Sequence, residues 1–368
     1  MFGTLLQIPV VGLSVADFLV LLLAAFAGGV FGAAVGALPA FCFTGFMVIV
    51  GQTVAVLRGS IAGQLSELSA GALTTGVTGA IAFGPVFGPH ISFAGGAAAA
   101  AYAAKNDGMY EIDDGDYHVA KDITYALGTR PDVLVVGGLF GVLGMLVRQV
   151  SAGLALPWDP VAVGVVLSAV AHRLVFDYPL VGAGSRNVLD MGPFEDGERR
   201  AVPDGGTGAV DRKRLAVEPW LPHQYEWLNV ATIGVASGLL GGWIALKTGS
   251  AFLGFGISAA TLIFLNLGVE KIPVTHHMTL PASTAALAVV GGADPTGTTA
   301  VVALVAAGVF GVYGALVGEV IQRVFYAHSD THFDPPAASI AVSTLTIAVL
   351  AVVGVFGTSV WVPTLGLV

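Results

Sequence analysis

From Phe18 to Leu57 the chain runs without a single Asp, Glu, Lys or Arg, and comparable uncharged stretches recur along its 368 residues. No other feature constrains the fold as tightly. About twenty apolar residues in a helix cross the roughly 30 Å hydrocarbon core of a bilayer. The runs are continuous, whereas a transmembrane barrel would alternate apolar and polar positions over short strands. Only 11% of residues are charged, against about a quarter in soluble domains. The fold class this predicts is an all-α polytopic membrane protein, multi-pass in the cell membrane.

Apolar segments fall near 15–38, 40–57, 88–104, 131–152 and 159–178, and again near 228–247, 250–268, 273–291, 298–325 and 336–357. An eleventh, 61–83, is more polar (Ser60, Gln64, Glu67, Thr74), so ten transmembrane helices are expected, or eleven if it crosses. The first segment lacks a basic flank and a small-residue cleavage site, and reads as a retained span.

The chain repeats itself. Leu134–Val150 and Leu304–Val320 agree at ten of seventeen positions without a gap. Asp159-Pro160 recurs as Asp334-Pro335, Ala27 and Gly45 align with Ala236 and Gly254, and His90 aligns with His277. Four anchors in one order imply two homologous halves. The predicted organisation is a first repeat over 1–178, with the polar insert 61–83 and the acidic loop 105–130, a cytoplasmic linker over 179–226, and a second repeat over 227–368. With five spans each, the halves would be inverted, a plan shared by many transporters. The basic cluster from Arg186 to Arg214 places the linker inside.

Small residues four apart (Gly28, Gly32, Gly36; Gly137, Gly141; Gly234, Gly238, Gly242; Gly314, Gly318) predict close helix seams. Asp before Pro is a helix start, because Asp caps free N–H groups and Pro at the first position needs no donor. Glu319 and Arg323 are spaced to pair along one helix.

The matching middle segments carry the functional expectation. FGPVFGPHISFAGG sets Pro89 and Ser92 beside His90, and VTHHMTLPAST sets Thr279 and Ser283 beside His276 and His277. Proline and glycine break helices and free carbonyls, which inside a membrane is tolerated only against protein or a water-filled cavity. These seven residues are the expected pathway, with Phe140 and Phe310 as equivalent plugs. His328, Asp330 and His332 form a weak metal-like group in a loop, better read as a polar turn.

No phosphate loop, HExxH or CxxC occurs, so neither an enzyme nor a cofactor is expected. A net charge of −9 argues against a nucleic-acid partner. The single Cys42 excludes an intrachain disulfide. Acidic loops and few lysines, five of 15 basic residues, fit a halophilic archaeon. The expected function is a channel or transporter for a small solute or ion, with membrane lipids and further copies of itself as partners. The competing reading is an oligomeric structural or assembly protein that packs lipids or subunits without transport.

Overall fold

The computed structural model describes residues 7–61, 76–110, 116–182, 187–201 and 213–368. Part of the polar insert, the acidic residues 111–115, and Arg186 and Arg212 lie outside these. Ten helices of fourteen residues or more are found among the described residues. They are α1 (Val15–Val35), α2 (Ala37–Ile61), α3 (Ser92–Lys105), α4 (Pro131–Gly153), α5 (Pro160–Val175), α6 (Trp227–Thr248), α7 (Leu253–Asn266), α8 (His276–Val290), α9 (Gly297–Ile321) and α10 (Pro335–Val352). A π-helical turn, Gly76–Ala82, precedes α3, and another, Gln322–Ala327, extends α9. The linker contributes one short antiparallel hairpin, Arg199–Ala201 against Lys213–Leu215.

Six of these helices, α1, α2, α4, α6, α9 and α10, are long and apolar enough to cross a membrane. The other four have only fourteen to sixteen residues. At 1.5 Å per residue they reach about 21–24 Å, less than a hydrocarbon core. Of the ten full spans expected, six helices reach spanning length among the described residues, and the other four are too short to cross on their own. Gln52 of α2 donates to Thr78, within the insert, at 3.1 Å, and whether 61–83 crosses falls on residues outside those described.

Local chemistry sets the helix ends. Ser14 accepts the Asp17 N–H at 3.1 Å and starts α1. Asp159 accepts the Val161 N–H, and Asp334 the Ala337 N–H, each at 2.8 Å, with Pro160 and Pro335 following. These are the caps that the Asp-Pro pairs predict. Gly249 and Gly291 close α6 and α8 with φ of +68° and +56°, a left-handed turn that a side chain would strain.

Loop contacts define two ends of the bundle. At one end, Leu38 N–H bonds Ile123 O, Lys105 binds Phe176 O, Glu218 N–H bonds Ala327 O, and Gln224 binds Val274 O. At the other, Leu365 N–H bonds Ala155 O, Ser250 binds Gln52, and Trp361 binds Thr284. It follows that α1, α3, α5, α7 and α9 run toward the first end, and α2, α4, α6, α8 and α10 run away from it.

The glycine seams are as tight as their spacing predicts. A Cβ on Gly141 would stand 2.7 Å from Ala25 O and 2.8 Å from Gly29 Cα, where α4 crosses α1. A Cβ on Gly311 would stand 2.6 Å from Gly238 Cα, where α9 crosses α6. Gly32 lies against Ser92 O of α3, and Gly241 against Thr279 O of α8. Lipid supplies no hydrophobic drive between helices, so this close backbone approach is what holds them together. Between the halves, α2 packs on α7 and α5 on α10.

Candidate functional site

The helices α3 and α8 are largely buried, with every residue of α8 from His276 to Ala286 shielded. Their starts are the broken segments. Pro281 in α8 has no N–H, so the His277 carbonyl four residues earlier loses its helical donor. At the equivalent place in α3, Ala94 N–H turns to Pro89 O instead of His90 O. Both carbonyls lie against glycine, His90 O on Gly144 and His277 O on Gly314, where any side chain would collide. Glycine Cα–H groups can donate weak hydrogen bonds to such carbonyl oxygens.

The His90 ring packs beside Gly164 of α5, and the His277 ring beside Gly318 of α9 and Trp220. Each is buried, and its Nδ1 has no hydrogen-bond partner among the described residues. Both rings therefore sit within their own half of the chain. His276 points elsewhere, with Phe41 4.9 Å and Phe255 5.7 Å from its ring centre. Ser92 reaches Gly88 O at 3.4 Å and Thr279 reaches His276 O at 3.2 Å. Ser283 is buried against Gly241, with no hydrogen-bond partner among the described residues. Phe140 packs on Phe176 and His172, and Phe310 on Tyr313 and Phe356, so both fill the interiors of their halves.

A cavity of about 1310 Å³ opens between the halves. Five pairs of its lining residues occupy positions that the sequence repeat aligns. Pro89 faces it with His276, Phe93 with Leu280, Asp159 with Asp334, Ala162 with Ala337, and Val165 with Ile340. The first members come from α3, α5 and the turns before them, and the second from α8, α10 and theirs. Aromatic rings line its middle, where Phe41 bridges Phe93 (5.9 Å) and Phe255 (6.0 Å). Of the expected pathway residues, Pro89 and His276 are on this wall, while His90, Ser92, His277, Thr279, Ser283, Phe140 and Phe310 are packed away from it.

The first end of the cavity carries a buried ionic cluster. Lys121 Nζ lies 2.6 Å from Glu218 Oε2, and both side chains are almost fully buried. Glu218 also takes Arg214 and the His118 N–H. Arg214 continues to Asp330, which Arg200 reaches at 2.9 Å. Lys121 sits over the Tyr326 ring at 4.6 Å. Burial pushes the Lys121 ammonium down to about 8, against the upward pull of Glu218. Burial, with Arg214 nearby, lowers His118 to about 4, so its ring is neutral. Burial alone would raise Asp330, but Arg214 and Arg200 hold its carboxyl below the usual range. Behind the cluster, Arg173 donates to Thr331, Leu180 O, Phe325 O and Ser329. Glu319 and Arg323 pair at 2.6 Å, as their spacing predicts.

Among the described residues no three His, Cys, Asp or Glu side chains converge as a metal site. Asp330 is committed to arginines, His332 faces Asp334 at 3.4 Å, and His328 is buried. Sequence reasoning missed Lys121, Arg214, Glu218, Phe41 and Trp220. The available signals were the scarcity of lysine and the four-residue spacing of Arg214 and Glu218.

These features define a helical protein with membrane-compatible spans and a large internal cavity between its two halves. The chain belongs to DUF7973, a family of unknown function whose model matches residues 10–365. No curated protein and no solved structure matches it.

Proposed function

We propose that the chain is a multi-pass membrane transport protein, made of two inverted five-helix repeats, that moves a solute through the cavity between them. The observation that carries this reading is the cavity, which five residue pairs aligned by the sequence repeat line from the two halves of the chain. Binding at the interface of inverted repeats, beside interrupted helices, is the common plan of secondary transporters. The opposed directions of α1–α5 and α6–α10, and the matched glycine contacts, support the inverted duplication. The four shorter helices then complete crossings together with their flanking turns, and protein shields their freed backbone groups.

Positive residues support a sidedness. Lys105, Lys121, Arg130, Arg173, Lys271 and Arg323 lie toward the first end with the linker, and Arg148 and Lys247 toward the other. The first end is then cytoplasmic. The protein acts in the cell membrane without an enzymatic step, among lipids and other copies of itself.

The test is solute uptake into proteoliposomes by the wild type and by Ala337→Trp, which fills the cavity from α10. Uptake by the wild type that the variant abolishes is expected. No uptake of any tested solute class, or uptake equal in both, would leave the structural role as the better account.

A further inference from the structure

We infer that a single water molecule binds between the two halves, in a small side chamber of the cavity, held by Ser168 and His172 of α5 and by His332 just before α10. The inference stands on the chamber's own geometry and goes beyond the transport reading.

The chamber lies where α5 meets the start of α10 and has a volume of about 10 Å³. That is room for one water and too little for an organic solute. It shares Phe93, Val165, His332 and Asp334 with the large cavity, which gives water a way in. Its polar walls are Ser168, His172, His332 and Asp334. Ser168 and His172 are 1% exposed, and His332 is 2% exposed. Ser168 Oγ and the Nδ1 atoms of both rings have no hydrogen-bond partner among the described residues. Buried polar atoms are costly to leave unpaired, and where protein does not satisfy them ordered water does.

The proton positions select the ligand. Arg173 Nε donates to Thr331 Oγ1 at 2.9 Å. Among the described residues, the acceptor left for the threonine's own proton is His172 Nε2, 3.1 Å away. Hydrogen bonding therefore assigns the His172 ring proton to Nδ1. His332 Nε2 faces the Asp334 carboxylate at 3.4 Å and carries a proton there, since a carboxylate only accepts. In the neutral His332 ring this leaves Nδ1 as an acceptor. One half of the chain thus offers a donor, the other an acceptor, and Ser168 a hydroxyl that can do either. Water, with two protons and two lone pairs, completes all three. A metal or ammonium ion cannot accept the His172 proton, and a halide cannot donate to His332.

The sequence repeat supplies a contrast. At the spacing that aligns Asp159 with Asp334, Ser168 falls on Ser343, but His172 falls on Ile347 and His332 on Pro157. The equivalent junction at the other end is built without either ring, so packing α5 on α10 does not itself demand histidine.

Cryo-EM maps of the full chain in lipid nanodiscs, at a resolution that shows ordered water, test this in sodium chloride and in N-methylglucamine chloride. One peak is expected in both, within about 2.7–3.2 Å of Ser168 Oγ and of Nδ1 in His172 and His332. Ser168→Ala leaves the space open and should keep the peak on the two rings. Ser168→Val fills the chamber, so it should displace the peak and lower the folding equilibrium constant by about five- to hundredfold, as two ring nitrogens lose their partner. No peak in the wild type, a peak in sodium alone, or a peak that persists in Ser168→Val would overturn the inference. The wild-type maps decide even if Ser168→Val fails to fold. Solute uptake in proteoliposomes is a separate readout, so the chamber and the transport reading can fail independently.

Discussion

Replacing Gly141 by Ala places a methyl group in the seam between α1 and α4. The new Cβ would stand 2.7 Å from Ala25 O and 2.8 Å from Gly29 Cα, and ordinary contact begins near 3.4 Å. Both neighbours are backbone, so no side chain can swing aside. The helices must part by roughly 0.7 Å, which forfeits a quarter to a half of the dispersion energy along the seam. The expected cost is about 1–3 kcal/mol, the usual range for overpacking. Gly311→Ala should cost a similar amount, since its Cβ meets Gly238 Cα at 2.6 Å in the matching seam. The two losses should add, because the seams share no partner. Gly308→Ala is the control on the same helix, α9. Its Cβ would meet only Leu239 Cδ2 at 3.7 Å, so the better helix propensity of alanine leaves it neutral or up to about 1 kcal/mol more stable. Unfolding by SDS titration, followed by tryptophan fluorescence, measures all three. The packing account fails if Gly308→Ala is as damaging as the other two, or if Gly141→Ala and Gly311→Ala change stability in opposite directions.

Three further outcomes are expected. Glu218→Gln leaves Lys121 and Arg214 buried with weakened compensation and should cost about 3–5 kcal/mol, whereas Asp116→Asn, which loosens the exposed Arg199 pair, should cost less than about 1 kcal/mol; the same titration compares them. Because burial holds Lys121 near 8 in the fold and it returns to 10.5 when unfolded, the unfolded chain binds more protons between those values. Lys121 therefore makes stability rise as pH goes from about 8 to about 10.5, and unfolding curves of Lys121→Met should lack that component of the rise. Asp159→Ala and Asp334→Ala each remove a helix cap and should lose about 0.5–2 kcal/mol, read as a lowered melting temperature.

Much of the fold was legible because it is written in local patterns. Helix seams follow from glycines four residues apart, helix starts from Asp before Pro, and the broken segments from Pro89 and Pro281. The helix lengths were less so: α3 and α8 begin several residues after the apolar run does, because a turn at Pro89 precedes α3 and irregular chain around Pro273 precedes α8. Within the candidate site, sequence patterns found the interrupted segments but not which residues face the cavity. His90 and His277 drew notice as polar groups in apolar runs, yet their freed carbonyls and rings pack on Gly144, Gly164, Gly314 and Gly318. Whether a residue faces a cavity depends on a neighbour contributed by another helix. The ionic cluster escaped for the same reason. Lys121, Glu218 and Asp330 come from three loops about a hundred residues apart, and their meeting exists only once the two halves are assembled.

The inverted duplication around the cavity is tested most directly by sidedness at a pair of equivalent positions. Asn106 follows α3 and Ala293 follows α8, and both are exposed. In a Cys42→Ala background, Asn106→Cys and Ala293→Cys would be labelled in intact cells with a membrane-impermeant maleimide. The account predicts that only Ala293→Cys reacts from outside, and that Asn106→Cys reacts after the membrane is opened. Labelling of both from the same side would contradict it.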